Sequence, residues 1–239
     1  MKKTILVTGG GGVIGLSIIK YFYQKKYNVI IAGLISKKSI ISLHKFLDKK
    51  RSLVFNIELT RASNLKKIVK VSIKKFKSLD VLVNCAGIQF VAPIEKYPEK
   101  IWRKMIEINL TTPFLIIKQV LPIMRKNKFG RIINIGSMAT RHEVSGEALY
   151  TSTKASITAF TRVLSKEVAT SGITVNIIAP SVIETELSKA INKEALKEVL
   201  NRNAIKEYGN LLDISNSIDY IIREESKSVT GQIIYLGGV

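Results

Sequence analysis

A chain of 239 residues, 46% of them hydrophobic, is long enough to bury one large α/β core and short for two. Its single cysteine, Cys85, excludes an internal disulfide framework and suits a reducing compartment. The formal net charge is +20, from 38 Lys and Arg against 18 Asp and Glu, a field that attracts nucleic acid, anionic lipid or an acidic protein.

The lysines run through the second, third and fourth predicted helices alike, with no aromatic-interleaved basic block. The charge therefore reads as compositional drift before selected polyanion binding, and nucleic acid is not an expected partner. At the N-terminus, Met1-Lys2-Lys3 precedes the run Thr4-Ile5-Leu6-Val7, which stops at glycines and is too short for a signal-peptide core. No stretch approaches the ~18 apolar residues of a membrane span. A soluble cytoplasmic protein without a membrane segment is expected.

The first predicted strand, 3–8, runs straight into Gly9-Gly10-Gly11-Gly12-Val13-Ile14-Gly15, which opens a predicted helix over 14–26. Glycines there let the backbone turn tightly and approach a pyrophosphate held at the helix N-terminus. A glycine cluster alone is weak evidence; its place between a first strand and a helix predicts dinucleotide binding. Gly9, Gly11, Gly12, Val13, Ile14 and Gly15 are the candidate contacts.

The second strand, 28–32, ends in Gly33-Leu34-Ile35-Ser36-Lys37-Lys38 with no acid to bind the ribose 2′-hydroxyl of NAD. Ser36, Lys37 and Lys38 are suited to a 2′-phosphate, so NADP(H) is favoured and NAD(H) stays open. A solvated helix start over 37–49 is the bland alternative for the two lysines.

Strands at 52–55 and 80–83 follow, separated by a helix at 63–77. The predicted helix 98–127 carries apolar residues on more than one face, among them Ile101, Trp102, Met105, Leu115, Ile116, Val120 and Met124. A helix apolar nearly all round must be buried, here by preference against another subunit. After a strand at 131–135 comes Ser137, and a helix over 148–171 opens with Tyr150 and Lys154. Strands at 174–178 and 232–236, with helices at 185–202 and 211–224, complete a doubly wound, seven-stranded parallel α/β sheet in one domain over 1–239.

Residues four apart share a helix face, so Lys154 can sit beside the Tyr150 phenol. A charge about 4 Å away at an effective dielectric near 20 is worth roughly 4 kcal/mol, enough to bring a phenol from about 10 to near 7. Ser137 is placed to hydrogen-bond a substrate oxygen where negative charge develops. No metal-ligand pattern is expected.

At these residues the chain resembles the short-chain dehydrogenase/reductase family along essentially its whole length. The resemblance is carried by Asn84-Cys85-Ala86-Gly87, Asn109 in Ile108-Asn109-Leu110, Gly130-Arg131-Ile132-Ile133-Asn134-Ile135-Gly136-Ser137, Tyr150-Thr151-Ser152-Thr153-Lys154, Asn176 to Thr185, and Thr230-Gly231-Gln232. It implies a Rossmann-like oxidoreductase with a tetrad. Tyr150 is the general acid/base, Ser137 orients substrate, Lys154 binds the nicotinamide ribose, and Asn109 holds a relay water.

The same resemblance implies that Glu58 and Leu59 lie near the adenine. Asn84, Ala86 and Gly87 flank the cofactor, and Pro180, Ile183 and Thr185 meet the nicotinamide end. The chain departs from the family pattern at Val13, which stands where the short branch has its middle glycine, at Glu58 for the usual Asp, and at Ser181 for the usual Gly.

Within the family the chain is most similar to 3-oxoacyl-[acyl-carrier-protein] reductases, on Gly130 to Ile135, Gly172-Ile173-Thr174-Val175-Asn176 and Ala204 to Gly209. That implies reduction of a carrier-linked 3-oxoacyl thioester, an acidic acyl carrier protein as partner, Arg131 as a docking residue, and a homotetramer or homodimer. A small-molecule alcohol, sugar or steroid dehydrogenase uses the same tetrad, and a non-catalytic nucleotide- or nucleic-acid-binding module is the reading from another class. The segment 184–203 is expected to cap the substrate.

Overall fold

Short β-branched runs form the strands of a covered parallel sheet, with the inner strands buried on both faces and the edge strands half-buried. The computed structural model describes residues 2–185 and 193–238 and places such strands at β1 (Thr4–Thr8), β2 (Asn28–Gly33), β3 (Ser52–Asn56), β4 (Val81–Asn84), β5 (Gly130–Ile135), β6 (Ile173–Ala179) and β7 (Ile233–Tyr235). All pairings are parallel, in the order β3-β2-β1-β4-β5-β6-β7. The strand order reverses between β1 and β4, where Thr8 lies opposite Asn84. A doubly wound sheet opens its binding crevice at the carboxyl ends of the strands beside that reversal.

The helices are α1 (Val13–Gln24), α2 (Lys37–Phe46), α3 (Ala62–Phe76), α4 (Glu99–Ile106), α5 (Thr112–Lys126), α6 (Ala139–His142), α7 (Ala148–Val168), α8 (Lys193–Asn201) and α9 (Leu211–Ile221). Each long helix buries one stripe. In α3 the stripe is Leu65, Ile68, Val69, Ser72 and Phe76, the three-and-four spacing of a helix face. Phe22, Leu43, Ile214 and Ile218 build the core on one side of the sheet. Leu65, Ile68, Ile116, Val120, Met124 and Leu164 build it on the other.

The predicted helix 98–127 is continuous but not uniform, because a π turn at Glu107–Thr111 separates α4 from α5. Pro113 has no N–H to give the Asn109 carbonyl four residues back, and Thr112 N–H reaches Glu107 O instead. The stretch Glu99–Lys126 is long and apolar enough to cross a membrane. One stripe of it, Met105, Ile116, Val120 and Met124, is wholly buried against the protein. Its apolar residues are therefore divided, since Trp102 and Phe114 stay exposed, as does Val163 on α7. Of the predicted helix 185–202, the part up to 192 lies outside the described residues apart from Thr185.

Candidate active site

The glycine loop is built for close approach. Gly9 has φ +65, and a Cβ there would stand 2.7 Å from the Ala86 backbone. A Cβ on Gly15 would stand 2.4 Å from Gly9 O, so a larger residue would push α1 off the loop. Helix α1 starts at Val13 with no side-chain cap and no acid in its first turn, leaving its N-terminal amides and positive dipole end open to an anion. Ile14 reaches the cleft described below, while Val13 is largely exposed. Thr8 fixes the neighbouring loop, its Oγ1 accepting from Cys85 N at 3.2 Å and Ala86 N at 3.3 Å.

At the end of β2, Ser36, Lys37 and Lys38 are exposed at the N-terminus of α2. Ser36 Oγ accepts from Ser39 N at 3.1 Å, which makes it the helix cap. Ser39 Oγ in turn donates to Gly11 O at 3.1 Å and ties α2 to the glycine loop. Two exposed lysines at a helix N-terminus fit a phosphate group. Glu58 lies on the surface beyond β3, its oxygens held by Thr60 Oγ1 at 2.9 Å and Arg61 Nε at 3.0 Å. Leu59 is buried with Ala32 and Leu65 in the core. The glycine cradle and basic rim together fit a dinucleotide.

The tetrad converges on the ends of β4 and β5. Ser137, Tyr150 and Lys154 line one cleft of about 160 Å³ with Ile14, Gly87, Pro180, Ile183 and Thr185. Ser137 follows β5, and its Oγ accepts from Ala139 N at 3.1 Å. Tyr150 and Lys154 lie one turn apart at the start of α7. Lys154 Nζ donates to Ile135 O at 2.8 Å and stands 5.6 Å from the Tyr150 ring centre. Asn109 is buried in the π turn, where Nδ2 donates to Ile88 O and Oδ1 accepts from Ile88 N, both at 2.9 Å. Nδ2 also donates to Thr153 Oγ1 at 3.1 Å, so Asn109 braces α7 beside the tyrosine. A Cβ on Gly87 would touch Asn109 Oδ1 at 3.5 Å and Lys154 Nζ at 3.7 Å.

The electrostatics depart from the expected lowering of the phenol. Burial pushes Tyr150 up to about 12, against a hydrogen bond with Ser137 that lowers it. Burial brings Lys154 down to about 8, with nearby Cys85 opposing that effect. The ammonium directs its proton at the Ile135 carbonyl, and desolvation outweighs any pull it exerts on the phenol. In this structure Tyr150 is a protonated donor at neutral pH. Cys85 is a half-buried thiol that lines the cleft, and desolvation pushes it up to about 12.

Asn84 is buried, its Nδ2 donating to Asn134 Oδ1 at 2.8 Å, while its Oδ1 has no partner among the described residues. Arg131 is not a surface residue. It is 2% exposed, stacks on Phe129 and donates to the carbonyls of Gly130, Gly172 and Arg223. Covered in this way, the side chain offers no surface for the docking role expected of it.

The reading of motifs missed three polar residues that share the cleft: Gln89, His142 and Glu147. Gln89 Nε2 donates to Glu147 Oε1 at 2.6 Å, and burial raises the Glu147 carboxyl above the usual carboxylate range against that bond. Glu147 immediately precedes the helix that carries Tyr150. His142 carries no such local signal.

Residues 3–196 match the family model described as short chain dehydrogenase. The chain is 34% identical to the uncharacterized oxidoreductase YxjF of Bacillus subtilis, over 99% of this chain and 97% of that protein. It is 31% identical to the 3-oxoacyl-[acyl-carrier-protein] reductase FabG of Staphylococcus epidermidis, over 100% and 98% of the two chains. Among solved structures, ElxO with NADP bound superposes with a TM-score of 0.89 at 29% identity, covering 99% of this chain and 97% of that one.

Proposed function

Because the chain belongs to the short-chain dehydrogenase/reductase family and is an oxidoreductase, we propose that it reduces a ketone to an alcohol with NADPH, acting on a 3-oxoacyl thioester delivered by an acidic carrier protein. The observation that carries the ketone chemistry is the convergence of Ser137, Tyr150 and Lys154 on one cleft under an open glycine loop. A bound nicotinamide dinucleotide supplies the hydride. Tyr150, protonated at neutral pH, gives its proton to the carbonyl oxygen. Ser137 hydrogen-bonds that oxygen as charge develops on it. Lys154 offers a cation at the base of the cleft, and Asn109 holds α7 in register while its π turn presents a main-chain carbonyl for a relay water.

Gly9 to Gly15 would hold the pyrophosphate, Ser36 and Lys37 a 2′-phosphate, Glu58 and Leu59 the adenine end, and Asn84, Ala86, Gly87, Pro180, Ile183 and Thr185 the nicotinamide half. The similarity to FabG and the +20 charge support the carrier-linked substrate. The surface apolar residues Phe114 and Val163 support assembly through α5 and α7, as a tetramer of single-domain cytoplasmic subunits. A second reading, reduction of a small hydroxylated ketone, is favoured by Gln89, His142 and Glu147 in the cleft.

The test compares a carrier-linked 3-oxobutyryl substrate with its N-acetylcysteamine thioester at two salt levels. Steered association weakens as the Debye length falls from about 10 Å at 0.1 M to about 3 Å at 1 M. The carrier-linked rate drops steeply with salt and the small thioester changes little. Equal salt responses, or no turnover of either, reject the carrier-linked reading.

A further inference from the structure

Two polar side chains in the cleft have no work in the tetrad. His142 is 7% exposed, and neither ring nitrogen has a hydrogen-bond partner among the described residues. The Asn203 side chain lies beside it and pulls its value upward, and Asn203 Oδ1 has no hydrogen-bond partner among the described residues. Glu147 is equally buried, lines the same cleft, and has Oε1 taken by Gln89. Buried polar groups without partners are uncommon, and where they line a cleft a ligand is the natural partner.

We propose that Glu147, held in place by Gln89, and His142 form a second polar pole that recognises a hydroxyl on the carbon adjacent to the reacting carbonyl, so that the cleft also takes a small α-hydroxy ketone. The inference rests on ketone reduction as the activity and deepens the second substrate reading. A hydroxyl can donate to Glu147 Oε2 and also accept from an imidazole N–H. Burial and the Arg202 charge hold His142 below its ordinary value, so at neutral pH it keeps one donor and one acceptor. Glu147 is the residue just before the helix that carries Tyr150, and both side chains line the same cleft. A carboxylate in this place would face Glu147, and an alkyl group would leave the His142 nitrogens unpaired.

The test uses two ketones of equal size, 1-hydroxybutan-2-one and pentan-3-one, with NADPH and the full chain. The hydroxy ketone should be preferred by at least about 30-fold in kcat/KM, because a site built to bond a hydroxyl strongly rejects the analogue lacking it. Glu147→Leu and, separately, His142→Phe should each cut that ratio at least about fivefold. Equal rates for the two ketones in the unmodified protein overturn the proposal. So does a ratio left intact in both variants, even if overall rates fall, since that marks a structural role.

Binding of the product alcohols, butane-1,2-diol and pentan-3-ol, by saturation-transfer NMR separates the two layers. Diol binding that both variants weaken, without turnover of any ketone, supports the polar pole and overturns ketone reduction. Turnover without discrimination between the two ketones leaves ketone reduction standing and overturns the polar pole.

Discussion

Lys154 exposes a conflict between stability and chemistry that can be measured. Its ammonium is 7% exposed, and burial brings it from the ordinary 10.5 to about 8. That gap corresponds to about 3 kcal/mol of destabilisation when the charged form is held in the fold. Because the folded value lies below the unfolded one, the penalty is full below pH 8 and fades as pH rises toward 10.5, where the unfolded chain also loses its proton. Lys154→Met keeps the length of the side chain and removes the charge, but leaves Ile135 O without its donor, a loss of about 1 kcal/mol.

The net gain at pH 7 is about 2 kcal/mol, or roughly 4–8 °C in Tm for a domain of this size. At pH 10 the penalty has shrunk to about 1 kcal/mol, and the gain disappears. Thermal unfolding of the ligand-free protein at both pH values, alongside ketone reduction assays, reads all of this. The variant should be more stable at pH 7 and nearly inactive. A Lys154→Met protein less stable than the parent at pH 7, or equally stabilised at both pH values, refutes the reasoning.

Tyr150→Phe removes the proton donor and should lower kcat by at least ~10²-fold while NADPH affinity stays nearly the same; turnover close to that of the parent would sink the acid role. Lys37→Ala with Lys38→Ala should erase a preference for NADPH over NADH measured by equilibrium binding, and an unmodified protein that binds NADH as tightly contradicts the 2′-phosphate assignment. Phe114→Lys with Val163→Glu should dissociate the assembly to monomers in sedimentation velocity, because both side chains lie on the exposed faces of α5 and α7. A parent protein that is already monomeric at micromolar concentration disposes of that interface.

The strands were legible because parallel strands buried on both faces are runs of Val and Ile, and all seven lie within two residues of their predicted ends. Helix boundaries depended on single backbone events that periodicity does not encode. Helix α3 stops where Lys77 turns left-handed at φ +66, and the long helix changes winding where Pro113 withholds an N–H. Ser137, Tyr150 and Lys154 were singled out by residue type and spacing, and they line one cleft. His142 was not, because its significance lies in having no partner.

By itself the sequence determined the sheet and the glycine loop, which rest on local spacing along a strand or helix, and its motifs carried the family resemblance that implies the class of reaction. Only the tertiary structure decided the charge states and the free surfaces. Burial, which no local pattern measures, set Tyr150 at about 12 and Lys154 at about 8. It covered Arg131 and left Phe114 facing out. It also brought Gln89 against Glu147 across 58 residues of chain, a pairing set by how the loops after β4 and β5 fold over the same strand ends.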